Sequence, residues 1–154
     1  MFLILFLTLN CISQTSKKDL QNTYKTFSEA NTNPNKKMLV AYLFDQYSIL
    51  DEIENESKVL LKSPSESEIS KLELLGYEFF ENVEKFTSTY KEKSNDLNEK
   101  ELANFSKIYF ELRQNFEIYI RLLNNFKTEK DLFKTLKANN NSLRISINEF
   151  IQNL

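Results

Sequence analysis

Chemistry in this chain has few side chains to draw on. Histidine is absent, cysteine occurs once, as Cys11, and glycine once, as Gly76. Without histidine there is no ordinary general base, no partner for a nucleophilic serine or cysteine, and no imidazole for a metal. The Glu-x-x-His pairs of di-iron bundles are excluded with it. One cysteine makes no intramolecular disulfide and no multi-cysteine zinc site. One glycine cannot supply the phosphate-cradling loops of P-loop or dinucleotide folds. Carboxylates, lysines, arginines and hydroxyls remain. Their densest group, Glu73, Glu78, Glu81 and Glu84, has residue types that can bind calcium or move protons. It alternates with lysine at helical spacing and has no Asp-x-Asp-x-Asp-Gly loop, so a solvated helix face is expected. No catalytic residue, metal ligand or cofactor is expected, and the chain reads as non-enzymatic.

Other positions suit recognition better than catalysis. Gly76 lies inside a helical pattern, where glycine costs about 1 kcal/mol relative to alanine. It opens a notch for a ligand or partner, or makes room for an aromatic of a neighbouring helix. Asn139, Asn140 and Asn141, followed by Ser142, favour caps and turns. They are expected to interrupt the last helix as a hinge, a recognition loop, a kink or a fresh cap. Phe79, Phe86, Phe105, Phe116 and Phe126 either line an apolar ligand tunnel or fill a core. Tyr90, Tyr109 and Tyr119 need partners for their hydroxyls if buried, and are expected near the bundle ends or water. The doublets Lys17-Lys18 and Lys36-Lys37 are weak signals for phosphate or lipid headgroups.

Cys11 sits where an apolar run, Phe2 to Ile12 broken only by Thr8 and Asn10, gives way to polar residues. The run is far short of the roughly 20 residues that span a bilayer, and its length matches the apolar region of a signal peptide. "MF" supplies no lysine or arginine ahead of it; a start upstream of Met1 would. Cleavage after Ser13 satisfies the small-residue rule with Cys11 and Ser13 and leaves Gln14 as the new terminus. Lipidation of Cys11 is the competing reading, on a stretch that resembles a lipobox only loosely because Thr8 and Asn10 depart from it. A third reading makes residues 2–12 an uncleaved anchor or part of a buried helix. Export is the expectation, to the periplasm or the medium, or tethered by lipid to a bacterial membrane.

The remaining pattern is helical. With 154 residues, 41% hydrophobic and 13% aromatic, the chain is one domain with a real core, and two prolines with one glycine leave too few turn residues for a strand-rich fold. Asn33 before Pro34, Ser63 before Pro64, and the boxes Ser16–Asp19, Ser63–Glu66, Asn98–Glu101 and Thr128–Asp131 mark helix starts. They divide the chain into helices over 16–30, 34–61, 64–93, 98–126 and 129–153. Ile69, Leu72, Gly76, Phe79, Val83, Phe86 and Tyr90 form one seam with alternating spacings of three and four. Leu102, Phe105, Tyr109, Leu112, Phe116, Tyr119, Leu123 and Phe126 form another. Leu39, Leu43, Leu50, Ile53 and Leu60, interrupted by Gln46 and Ser57, make the second helix's seam; Phe133, Leu136, Leu143, Ile147, Phe150 and Leu154, interrupted by Asn140, make the fifth's.

The expected fold is all-α: an antiparallel bundle of about four long helices plus a shorter N-terminal helix, with coiled-coil-like seams. Residues 1–13 are expected to be a signal peptide and 14–154 a single helical-bundle domain. Net charge is −2, from 20 basic and 22 acidic residues, so no global field draws the chain to nucleic acid. The membrane is reached only through the N-terminal signal or a lipid. The functional expectation is a small exported protein that acts through an unidentified protein partner or a structural role. The alternative is a carrier for an apolar small molecule or lipid held between aromatic-lined helices. Seams of this period pair between chains as well as within one, leaving monomer and homodimer both open.

Overall fold

The computed structural model describes residues 15–125 and 130–154. These form five α-helices, α1 (Lys17–Ala30), α2 (Pro34–Lys62), α3 (Glu66–Lys93), α4 (Glu99–Asn125) and α5 (Lys130–Gln152), with one 3-10 turn, Ser94–Asp96, between α3 and α4. Among the described residues there is no strand.

Local chemistry sets the helix starts. The Ser16 hydroxyl accepts from the Asp19 amide at 3.1 Å while the Asp19 carboxylate takes the Ser16 amide at 2.7 Å, a closed capping box. Asn33 caps α2 through the Lys36 amide at 3.0 Å, with Pro34 in the first turn. Asn98 and Glu101 close a second box with two 3.0 Å bonds. The α3 start differs from expectation. Ser63 ends α2 by returning its amide to the Val59 carbonyl, and Ser65 caps α3 by accepting from the Glu68 amide at 3.2 Å. A residue before proline is held away from the helical region, and Ser63 accordingly has φ −144° and ψ 77°. Ser65, followed three residues on by Glu68, carries the same capping signature one turn-step later. The Thr128–Asp131 box lies partly outside the described residues.

Helix α2 is the hub. It packs on α3, α5 and α4, while α4 packs mainly on α5, and α1 lies across α5 and α2. Leu39, Leu43, Leu50, Ile53 and Leu60 of α2 are buried with Leu136, Leu143, Ile147 and Phe150 of α5. Helices α3 and α4 run in opposite directions, since Phe79 stacks on Phe116 while Tyr90 stacks on Phe105. They touch sparingly, despite the short connection between them. That connection is tied to the start of α2: Asp96 accepts from Asn33 Nδ2 at 3.0 Å and Asn35 Nδ2 at 2.9 Å, and Glu101 binds Lys36 Nζ at 2.9 and 3.0 Å. Burial alone would raise the Glu101 pKa, but the hydrogen bonds from Lys36 and the Asn98 amide, with the lysine charge, hold it below the ordinary value. No described helix is long and apolar enough to cross a membrane.

Candidate functional site

The site is built by a rotation of α4. Its buried residues are Phe105, Ile108, Leu112, Asn115, Phe116, Tyr119 and Leu122, whereas Tyr109 and Leu123 of the expected seam are only half-buried. The helix has turned its best-covered face toward α5 and α2, its main neighbours. The flank carrying Tyr109, Arg113, Glu117 and Ile120 is left facing α3 across an open groove.

The groove floor is aromatic. Phe79 and Phe116 lie face to face, with ring centroids 4.2 Å apart, and Phe80 meets Phe116 edge-on at 5.2 Å. Farther along, Phe86, Tyr90, Tyr109 and Phe105 form a connected ring cluster, joined by Tyr42 of α2, which stacks on Phe86 at 3.6 Å. The rings stack on one another instead of lining a tunnel. Two recesses open above them. One, of about 370 Å³, is walled by Phe79, Phe80 and Val83 on one side and Arg113, Glu117 and Ile120 on the other. A second, of about 240 Å³, lies beside Phe86, Tyr90 and Tyr109.

Around this groove large apolar side chains stand in solvent. Phe80 is 53% exposed and Tyr77 72%, with Leu74 beyond them; on α4, Phe110 is 61% exposed and Ile120 37%. None belongs to a seam read from the sequence. The available signal was their apolar character at positions off the stripe. Arg113, Arg121, Glu73 and Glu84 have no side-chain ion pair or hydrogen bond among the described residues, so the i,i+4 pair Glu117–Arg121 stays open.

The space beside Gly76 is occupied by Tyr119. A Cβ there would sit 3.4 Å from the Tyr119 ring and hydroxyl, and 3.9 Å from Phe116. Tyr119 is fully buried, away from the wet position expected for it, because its hydroxyl donates to the Leu72 carbonyl. Burial, with Glu73 nearby, pushes its pKa up.

Asn139, Asn140, Asn141 and Ser142 lie inside α5, which continues through them without a break. Asn140 has a tertiary role. Its carbonyl accepts from Asn115 of α4, and its amide donates to the Leu50 carbonyl at 3.2 Å and to Glu54 at 2.9 Å on α2. Asn139 and Ser142 border a shallow polar recess, and Asn141 accepts from Arg144 at 2.8 Å. Gln46, also fully buried, has no partner for either amide atom among the described residues.

The carboxylates Glu73, Glu78, Glu81 and Glu84 are exposed along α3, with Glu81 3.3 Å from Lys85. Among the described residues no group of carboxylates and cysteines is placed to hold a metal. Lys17 and Lys36 are bound by Asp51 and Glu101. Cys11, Ser13, Gln14 and Phe126 lie outside the described residues. Comparisons with protein-family models, curated proteins and solved structures give no match to this chain, which leaves the groove's own chemistry as the basis for function.

Proposed function

We propose that this chain is an exported, non-catalytic interaction protein whose docking surface is the groove between α3 and α4. On this reading α2 to α5 form an antiparallel bundle of four long helices with coiled-coil-like seams, and α1 packs outside it. The carrying observation is the cluster of exposed Tyr77, Phe80, Phe110 and Ile120 around an aromatic floor. Leaving such side chains in water forgoes roughly 1.5 kcal/mol or more of transfer free energy apiece, which a docked partner recovers. The apolar run before Cys11, as read in the sequence, supports export.

A photo-crosslinking residue placed at Tyr77 or Ile120 in cells tests the docking surface, with exposed Gln21 of α1 as control. Adducts from the groove positions and not from the control are expected; their absence, or equal labelling from Gln21, would overturn the reading. The N-terminus and mass of the cell-made protein test export: a chain beginning at Gln14, or a lipid on Cys11, is expected.

The recess of about 370 Å³ favours a second reading, an apolar carrier, since it falls in the size range of small-molecule sites. Bound lipid or other apolar material in the native mass spectrum, lost on Phe80→Arg, would favour it over protein docking.

A further inference from the structure

We infer that the occupant of the groove is a second copy of this chain, paired by a two-fold axis running along α3 and α4. The inference deepens the docking reading and rests on it. Its basis is a match of charge and height between the two walls. Phe79 lies level with Phe116, Tyr90 with Phe105, and Gly76 with Tyr119, which fixes the height of every residue on one wall against the other. On α3, Glu73 and Glu84 share the stripe of Phe80, seven residues before it and four after. On α4, Arg113, Glu117 and Ile120 follow one another at spacings of four and three and line the groove, with Arg121 beside them.

By that register Glu73 stands within about 1.5 Å, along the axis, of the height of Arg121, and Glu84 within about 3 Å of that of Arg113. A two-fold axis parallel to the helices preserves height and lays α3 of each copy over α4 of the other. Glu73 of each copy then faces Arg121 of the other, and Glu84 faces Arg113. All four side chains lack an intramolecular ion partner among the described residues. Phe80 and Ile120 both lie between these pairs in height, about 7.5 Å apart along the axis, and Glu117 comes within about 1.5 Å of the height of Tyr77, whose hydroxyl can donate to it. The surface is self-complementary, as an isologous interface requires. An acidic apolar ridge beside a basic apolar ridge, in register, suits a copy of itself better than an anionic or cationic partner, which would be repelled by one wall.

Sedimentation velocity of the full chain, from about 1 to about 100 µM, tests this. A dimer is expected. Glu73→Arg with Glu84→Arg in one chain, or Arg113→Glu with Arg121→Glu in another, should weaken self-association at least about tenfold, because like charges replace both pairs. These are exposed sites, and an unchanged helical circular dichroism signal checks that each chain is folded. Mixing the two altered chains should restore a dimer, since each basic ridge again meets an acidic one. A wild-type monomer throughout the range, or a dimer indifferent to both charge reversals, would overturn the inference. A monomer that still gives groove adducts with another protein in cells would overturn only the second copy; a dimer without groove adducts in cells would overturn the docking reading.

Discussion

Helix α4 meets its two neighbours in opposite ways. Toward α5 it is closed: Ile108, Leu112 and Leu122 are covered, and Asn115 at the centre of that face reaches Asn140, which in turn reaches α2. Toward α3 it is open: the rings touch at the floor, the rims stand apart, and Phe80, Phe110 and Ile120 face water. Both sides are apolar, so hydrophobicity does not separate them. The difference lies in what must be partnered. A buried amide is costly without a hydrogen bond and so demands one arrangement of α2, α4 and α5, whereas aromatic faces accept another chain as readily as another helix.

If the closed side is held by its amides, Asn140→Ala should be the most damaging change. It strands the Asn115 amide and removes a donor from Glu54 and the Leu50 carbonyl, at about 1–3 kcal/mol for each stranded group. Urea unfolding should show the loss. A cycle with Asn115→Ala should be far from additive, and an additive result would mean that the pair is not coupled.

Gly76 probes the boundary between the two sides. Gly76→Leu should displace Tyr119 and cost about 1–3 kcal/mol. Gly76→Ala places its Cβ at ordinary contact distance and should stabilise by about 0.4–1 kcal/mol through reduced unfolded-state entropy. Thermal midpoints of the two variants moving in opposite directions would confirm that the notch is filled from within.

Where the α3–α4 connection is tied to the start of α2, acid should loosen the tie. Glu101 has its pKa depressed below 4.5, so its contribution is fully present above that value and is lost as pH falls through the folded-state pKa. Asp96, held down chiefly by its hydrogen bonds from Asn35 and Asn33, adds in the same direction below 3.8. Urea midpoints measured across the acid range should fall, and Glu101→Gln should flatten that fall while lowering stability at neutral pH.

The smallest loss of stability should come from the open side. Phe80→Ser removes a half-exposed ring whose edge-on contact with Phe116 is worth about 0.5–1.5 kcal/mol, and should cost the monomer about that much. Its larger consequence should appear in association. A large stability loss from Phe80→Ser would erase the distinction between the two sides.

Gln46 sharpens the same lesson. It sits in a seam as Asn140 does and is as deeply buried, yet neither of its amide atoms has a partner among the described residues. The sequence places both as polar interruptions of apolar stripes and offers no way to tell a bonded amide from a stranded one. That depends on whether a facing helix presents a carbonyl at the right height, as Leu50 does for Asn140. Within the described residues the five helices were legible almost to the residue, because capping boxes and apolar periodicity act within a turn or a few. The α3 start slipped only because two serines two residues apart both carry capping signatures. The groove was not legible: Phe80, Phe110 and Ile120 are off-stripe apolar residues, and Tyr109 looks like a core residue until α4 turns away from it.

What the sequence alone determined is therefore the local part: helical class, boundaries, the seams of α2 and α5, and the missing imidazole and glycine loops that narrow the chemistry. The tertiary structure decided which face of α4 is covered, what fills the space beside Gly76, and that Asn140 joins three helices instead of breaking one. The physical reason is range. Caps and periodicity are satisfied by neighbours in the chain, whereas burial of a ring or an amide is settled only by which other helix arrives beside it.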